Sequence, residues 1–509
     1  MRATLPVQGV KGLLRYARVH APTAFKRLNG LKDIAGLRVA IDATLLTQRF
    51  FYRSGSNNAT VLASFYQTLT RLRNANIYPI LVFDNTVARL ELKAYEQLKR
   101  RASREMVQSR MELEDKRLAR IKKLKTLTEK VKSLPKHTRA LIGGLLRQWE
   151  VLNHSKELVH LPSISTDLTL FDEPHLCALP ESVIDGQDSF FTAADLPPDN
   201  SWHIAYHIHA LRQECAVGFQ LDAPVRLSLT QIPLAQAEYL AYELLFVPEI
   251  AQRIAELLVF KGPSSPSALI DALYAKTLEK RNSYADTSRS VSADLYDQAV
   301  DLCRMMKIPV FITGDGTDEG GAMHEAEGFA SALVQQGYAD IVASEDSDVV
   351  MYDVPLLRGL GSNDKLDIVC ARTLRKELFP SEDTSFDDAD NINRMKQFAL
   401  LCGTDFNRTV AGIGPHRGHA LIKQHGDIRT ILENNEKYTP PPGYTLDTYL
   451  AHLAEALSVF ENMPDVDGPA AALGFGKDYR MFPEYSKESL RALLIGCGVE
   501  DCAMPADLR

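Results

Sequence analysis

Apolar and polar positions repeat along this chain with two periods, and the switches between them mark out elements. Leu37–Asp42 (LRVAID) is a short apolar run ending in an acid, and Tyr78–Asp84 (YPILVFD) is a second of the same form. Between them, Thr60–Asn74 carries apolar residues at helical spacing. Strand, helix and strand in that order predict a parallel pair joined by a right-handed crossover. Further on, Tyr296–Lys307 reads as helix and Ile308–Ile312 as strand, then 325–337 (EAEGFASALVQQG) as helix and Ala339–Ser344 as strand. The fold class expected is α/β, a central, mostly parallel twisted sheet flanked by helices.

Ligands of open α/β sheets sit beyond the carboxyl ends of the strands. Asp42 and Asp84 fall there, and Asp346 follows Ala339–Ser344 in the same manner. Any one of them alone reads as a helix cap or turn residue. Three on one rim, with Glu325, Glu327 and Asp348 close in sequence to the third, point to something else. Like charges at short range repel unless a cation lies among them, and oxygen-only clusters suit hard ions such as Mg²⁺ or Mn²⁺.

From Arg89 to Trp149 the pattern is helical and basic, with a break at Pro135. Lys93 and Arg100, seven residues apart, are expected on one face of that helix, about 10 Å apart along its axis. Residues 150–225 lose periodicity and gain turn signals, which predicts an irregular, partly mobile insertion. His203, His207 and His209 lack a matching ligand pair and read as a half-buried helix or strand edge rather than a metal site. Residues 233–261 look helical with an interruption at Pro248, 262–266 form a linker or helix start, and helices resume from Ala268. Residues 314–321 are an acidic loop carrying Asp315, Asp318 and Glu319. Arg394–Gly403 reads as a buried helix followed by Thr404-Asp405, and Gly412-Ile-Gly414-Pro-His-Arg417 opens another helix.

Composition narrows the setting. A chain of 509 residues, 45% hydrophobic and 24% charged, can bury a sizeable core in two to four domains. It has no run of 18 apolar residues, so no transmembrane helix and no membrane partner are expected. Seven cysteines scattered without a C-x-x-C pair suggest a reducing intracellular compartment. The net charge of −7 hides an asymmetry: residues 89–148 hold 18 Lys or Arg against 7 Asp or Glu, a balance of +11 that leaves −18 elsewhere. That segment is either a phosphate-binding element or a solvated charged helix. The first 32 residues contain no acid, as in a mitochondrial transit peptide or a phosphate-facing terminus.

Together these blocks resemble the XPG/flap-endonuclease family of structure-specific 5′ nucleases. Gly9-Val-Lys-Gly-Leu-Leu resembles the family's N-terminal motif, and VAIDAT at Asp42 and VFD at Asp84 resemble its first two acidic positions. Leu92-Lys93 to Lys99-Arg100 is similar to the helix whose basic side chains face the scissile phosphate. Glu325-Ala-Glu327 and Ser344-Glu-Asp346-Ser-Asp348, Gly403-Thr-Asp405, and Val410–Arg417 resemble the internal nuclease block, the last acid and the helix-two-turn-helix.

The resemblance implies a PIN-like core with a helical arch, here enlarged by an insertion. It divides the chain into 9–104 (N-terminal nuclease block), 105–295 (arch and irregular acidic insertion), 296–372 (internal block), 373–435 (helix-two-turn-helix) and 436–509 (helical extension). It implies that Asp42, Asp84, Glu325, Glu327, Asp346, Asp348 and Asp405 hold two Mg²⁺, for which Mn²⁺ substitutes, and that Lys93 and Arg100 are catalytic. Gly9, Gly412, Gly414 and Arg417 would contact DNA, with K⁺ at the helix-two-turn-helix. The function implied is metal-dependent hydrolysis of DNA at 5′ flaps, 5′ ends or junctions during replication or repair, by a monomer in the mitochondrion or nucleus. The alternatives are an inactive scaffold in RNA regulation and an RNA-directed nuclease. The C-terminus lacks the Gln-x-x-Leu-x-x-aromatic-aromatic box, so sliding-clamp docking by that route is not expected. Gln48 stands where the family carries an aromatic.

Overall fold

A computed structural model describes residues 9–54, 57–85, 91–144, 211, 266–314, 324–361, 366–380, 388–500 and 504–508. The chain forms two compact units, Met1–Arg101 with Arg289–Arg509, and Ala102–Ser288.

The first unit is built on a seven-stranded sheet. Its strands are β1 (Phe25–Arg27), β2 (Arg38–Asp42), β3 (Tyr78–Phe83), β4 (Val310–Ile312), β5 (Ile341–Ala343), β6 (Leu356–Arg358) and β7 (Asp367–Val369). They lie in the order β1-β7-β6-β5-β2-β3-β4. The five strands from β6 to β4 run parallel, and β7 and β1 add an antiparallel edge. The sheet is thus the mostly parallel one expected.

Both faces are covered, which is why the central strands read as unbroken apolar runs. Ala40, Ile80, Val82 and Val342 pack on one side with Phe329 and Leu333 of α7 (Ala326–Gln335) and Phe398 of α9 (Asp388–Cys402). Val39, Ile41, Leu81, Phe83 and Ile341 pack on the other with Phe65 and Leu69 of α3 (Asn58–Asn74). That second layer includes Leu302 of α6 (Ala293–Met305) and Leu490 and Leu494 of α14 (Lys487–Gly496). The last segment of the chain is therefore part of the sheet's own core.

In the second unit, the part of α4 (Ala94–Ser133) beyond Arg101 and α5 (Pro266–Ser288) are bridged by Arg281–Asp115 at 3.0 Å and Lys125–Asp271 at 2.9 Å. The crossed numbering of those pairs makes the two helices antiparallel. Helix α4 ends at Ser133, next to the expected break at Pro135. Its start differs from expectation. Lys93 closes a 3-10 turn, Glu91–Lys93, that leads directly into α4, so it precedes the helix it was expected to lie on. The irregular insertion at 150–225, the three histidines within it, the helix at 233–261 and the acidic residues at 315–319 lie outside the described residues, Leu211 excepted. No described helix is long and apolar enough to cross a membrane.

Candidate functional site

The carboxyl ends of β2, β3 and β5 lie side by side, so the acids following them share one rim. Asp42, the last residue of β2, caps α2 (Ala43–Arg53) by accepting from Leu45 N at 3.0 Å. Its other oxygen accepts from Ser344 Oγ at 3.0 Å. Asp84 follows β3; its own N–H donates to Thr44 Oγ1 at 2.8 Å, and its Oδ1 accepts from Ala326 N at 2.6 Å. That last bond ties the end of β3 to the start of α7, the helix bearing Glu327 with Glu325 as its N-cap residue. After β5, Ser344 Oγ accepts from Asp346 N at 3.0 Å, and Asp346 Oδ1 accepts from Asp348 N at 2.8 Å. A 3-10 turn, Ser347–Tyr352, follows directly and aims Asp348 inward.

Asp405 reaches the same rim from a different direction. It sits in the loop after α9, where the Asn407 side-chain oxygen accepts from both Thr404 N (3.0 Å) and Thr404 Oγ1 (2.8 Å). Asp405 takes Arg100 at 2.7 Å and Lys93 at 3.5 Å. Lys93 Nζ forms a second ion pair, with Glu325, and lies 4.9 Å from the Phe406 ring centroid.

Repulsion connects all seven acids. Burial, then Asp84, pushes the Asp42 carboxyl well above its usual range; burial, then Glu325, pushes Asp84 to about 6. Burial raises Asp346 to about 6, with Asp405 and Glu325 adding to the shift. Glu327 and Asp348 are driven well above normal by burial, then by Glu325 and by Asp346 respectively. For Lys93 burial works against the charge, but Glu325, Glu327 and Asp405 outweigh it and hold the ammonium's pKa well above normal.

A basin of seven carboxylates and two cationic side chains is strongly negative if all ionise, so it must take up protons or further cations. Among the described residues no three His, Cys, Asp or Glu side chains converge on one point as metal ligands, and on the Glu325–Asp405 side both the Lys93 ammonium and the Arg100 guanidinium are paired with carboxylates. Together they neutralise two charges of seven. Asp348 Oδ1 is buried with no hydrogen-bond partner. Gly9, φ +80°, presses against it: a Cβ there would overlap Asp346 Oδ1 and come within 2.7 Å of Asp348 N and Oδ1. An all-oxygen donor set, an orphaned carboxylate oxygen and a glycine that leaves it room fit a hard divalent cation.

Gly9, expected from the resemblance among DNA contacts, lies with its backbone against the Asp346–Asp348 loop. Next to it, Lys11 N donates to Gly403 O at 3.1 Å, so one N-terminal segment braces both acid-bearing loops. Gly412 (φ +76°) turns the chain, its carbonyl accepting from Arg417 Nη1 at 2.7 Å. Gly414 precedes Pro415 and caps α10 (Pro415–His425) without a side chain, leaving backbone N–H groups uncovered. Thr44, Ser344 and Asn407, which orient the acids, were not singled out from sequence. Their signal was only adjacency to an acid.

This is an α/β fold with an acidic rim assembled from separated segments. The XPG N-terminal domain matches residues 8–107 and the XPG I-region matches residues 320–405. Over these two regions the chain is similar to the XPG/flap-endonuclease family. Flap endonuclease 1 of Methanococcoides burtonii is 29% identical over 160 residues, 30% of this chain and 44% of that one. Flap endonuclease 1 of Methanothermobacter thermautotrophicus is 30% identical over 166 residues, 32% of this chain and 46% of that one. The chain thus spans less than half the length of these relatives. A solved structure, the catalytic core of Rad2 in complex with DNA substrate, aligns over 98% of this chain and 100% of that one, with 13% identity and a TM-score of 0.40.

Proposed function

We propose that this protein is a divalent-metal-dependent, structure-specific 5′ nuclease acting on DNA flaps, free 5′ ends or junctions. The observation that carries the reading is the delivery of Asp42, Asp84, Glu325, Glu327, Asp346, Asp348 and Asp405 from five segments to one mutually repelling basin. These seven would hold two Mg²⁺, with Mn²⁺ able to replace it. Bound there, the ions supply Lewis-acid activation of water and stabilisation of the leaving oxygen.

The chain's own residues do the rest. Lys93 and Arg100 both contact Asp405. Turning from that carboxylate to the scissile phosphate, they would offset charge building on its non-bridging oxygens. Buried Asp42 and half-buried Asp84, fixed by Leu45 N and Ala326 N, keep their geometry without the ions, so little reorganisation accompanies binding. The turn at Gly412 and Gly414 and the start of α10 offer N–H groups to a duplex phosphate, with Arg417 beside them, and carbonyls of the same turn suit K⁺. The inactive-scaffold reading is disfavoured by the filled acid set.

The test is cleavage of end-labelled flap, nicked, blunt, junction and RNA substrates in Mg²⁺, reading product lengths. Cleavage that requires the metal and disappears in Asp84→Asn and Asp346→Asn is expected. No cleavage of any substrate, or full activity in both variants, would reject the reading.

A further inference from the structure

We propose that Arg408 is a positioning residue that keeps the root of α4 docked on the acid basin when Lys93 and Arg100 leave Asp405 for a phosphate. The proposal rests on the nuclease reading. The Arg408 guanidinium carbon lies 4.2 Å from the ring centroid of Tyr95, in the first turn of α4, and 5.6 Å from that of Tyr444. The stack thus joins α4 to the segment leading into α12 (Leu446–Glu461). Its Nη1 donates to Pro442 O at 3.4 Å. The backbone of Arg408 is fixed as well: its N–H donates to His452 Nε2 at 3.3 Å, and its carbonyl accepts from Tyr449 Oη at 2.9 Å.

Among the described residues, the contacts that hold the root of α4 against the loop carrying Asp405 include three cationic kinds, beside the packing of Leu92 on the core. Two are the ion pairs of Lys93 and Arg100 with Asp405 and the seating of Lys93 over Phe406. Both of these use the cations that the reaction directs to phosphate, so both weaken when substrate binds. The third, Arg408 on Tyr95, uses no basin carboxylate and neither catalytic cation, so it persists. Tyr95 is two residues past Lys93 and five before Arg100, close enough in the chain to set where both side chains start. A planar guanidinium suits a slot between two rings, and an ammonium does not fill it in the same way.

The test is single-turnover cleavage at saturating substrate by the full chain, with substrate affinity measured separately in Ca²⁺. Arg408→Ala and Tyr95→Ala should each slow cleavage roughly ten- to a hundred-fold, the scale of a small misplacement at a reacting centre. Affinity should be unchanged, and the double variant should be no slower than the slower single one, because both remove the same contact. Tyr95→Phe, which keeps the ring, should cleave at the wild-type rate. Arg408→Lys, which keeps a charge and is well tolerated on a half-exposed surface, should be slow. Multiplying losses in the double variant, a fast Arg408→Lys, or a defect confined to affinity would overturn the proposal. Wild-type protein that cleaves nothing would instead sink the nuclease reading, whereas active wild type with an equally active Arg408→Ala sinks only this one.

Discussion

Replacing Asp346 with Asn should stabilise the metal-free protein while abolishing cleavage. Burial, with help from Asp405 and Glu325, lifts the Asp346 carboxyl from its usual 3.8 to about 6. A pKa raised on folding means that the protonated form favours the fold. Its contribution is complete below about 3.8 and is lost as pH rises through about 6. At pH 8 the ionised carboxylate opposes folding, and a shift of about two units corresponds to about 3 kcal/mol at most. The other six acids would share a released proton differently, so about 1–3 kcal/mol is the realistic gain. Asn removes the charge yet keeps an oxygen to accept from Asp348 N, a bond of 2.8 Å. The assay is thermal melting in EDTA at pH 5 and pH 8, repeated with excess Mg²⁺. In EDTA at pH 8 the variant should melt a few degrees above wild type. At pH 5, where the wild-type carboxyl is mostly protonated, the gap should shrink. In Mg²⁺ it should close or reverse, because only wild type keeps its full ligand set. A variant melting below wild type in EDTA at pH 8, or a gap equal at both pH values, would refute the reasoning.

Gly9→Ala should lower the melting temperature and slow cleavage together, since a Cβ at φ +80° overlaps Asp346 Oδ1 and displaces the acid loop; a variant matching wild type in both would remove Gly9's bracing role. Lys93→Met should destabilise the metal-free protein by about 3 kcal/mol, because Glu325 and Asp405 lose a buried counter-charge. Urea unfolding in EDTA checks that figure, and an unchanged midpoint would mean the two acids are neutralised some other way. Raising the pH from 5 to 8 in EDTA should also lower wild-type stability through Asp84, held at about 6, and a melt that is flat over that range would contradict the repulsion described for the basin.

Much of the site was legible because each acid follows an unmistakable apolar run. β2, β3 and β5 are buried on both faces, so LRVAID, YPILVFD and ADIVAS announce strands, and the rule for open sheets puts Asp42, Asp84 and Asp346 on one rim. Glu325 and Glu327 came with the amphipathic start of α7. Other features left no such trace. β1, β6 and β7 are as short as β5, three residues each, but no acid at their carboxyl ends marks them out. Their pairing is fixed by partners as remote as Phe25 with Val369. The return of Leu490 and Leu494 to pack with Phe65 is likewise a long-range event, which is why the C-terminal stretch read as a mere extension. The position of Lys93 was misjudged because helical spacing says nothing about a first turn that tightens to 3-10. The Arg408–Tyr95–Tyr444 stack joins residues more than 300 positions apart, and no local pattern could bring them together.

The central claim is that the basin binds divalent cations beyond what Lys93 and Arg100 already neutralise. Calorimetric titration of the full chain with Mn²⁺ at pH 8, beside Asp346→Asn and an Asp42→Asn/Asp346→Asn double variant, tests it most directly. Wild type should bind Mn²⁺ with an affinity at least about tenfold above the single variant, the step expected for loss of one ligand or its support, and the double variant should bind none at the same site. Equal titrations for all three proteins, or no heat with any of them, would show that Lys93, Arg100 and protons alone balance these acids, and the metal-dependent account would fail.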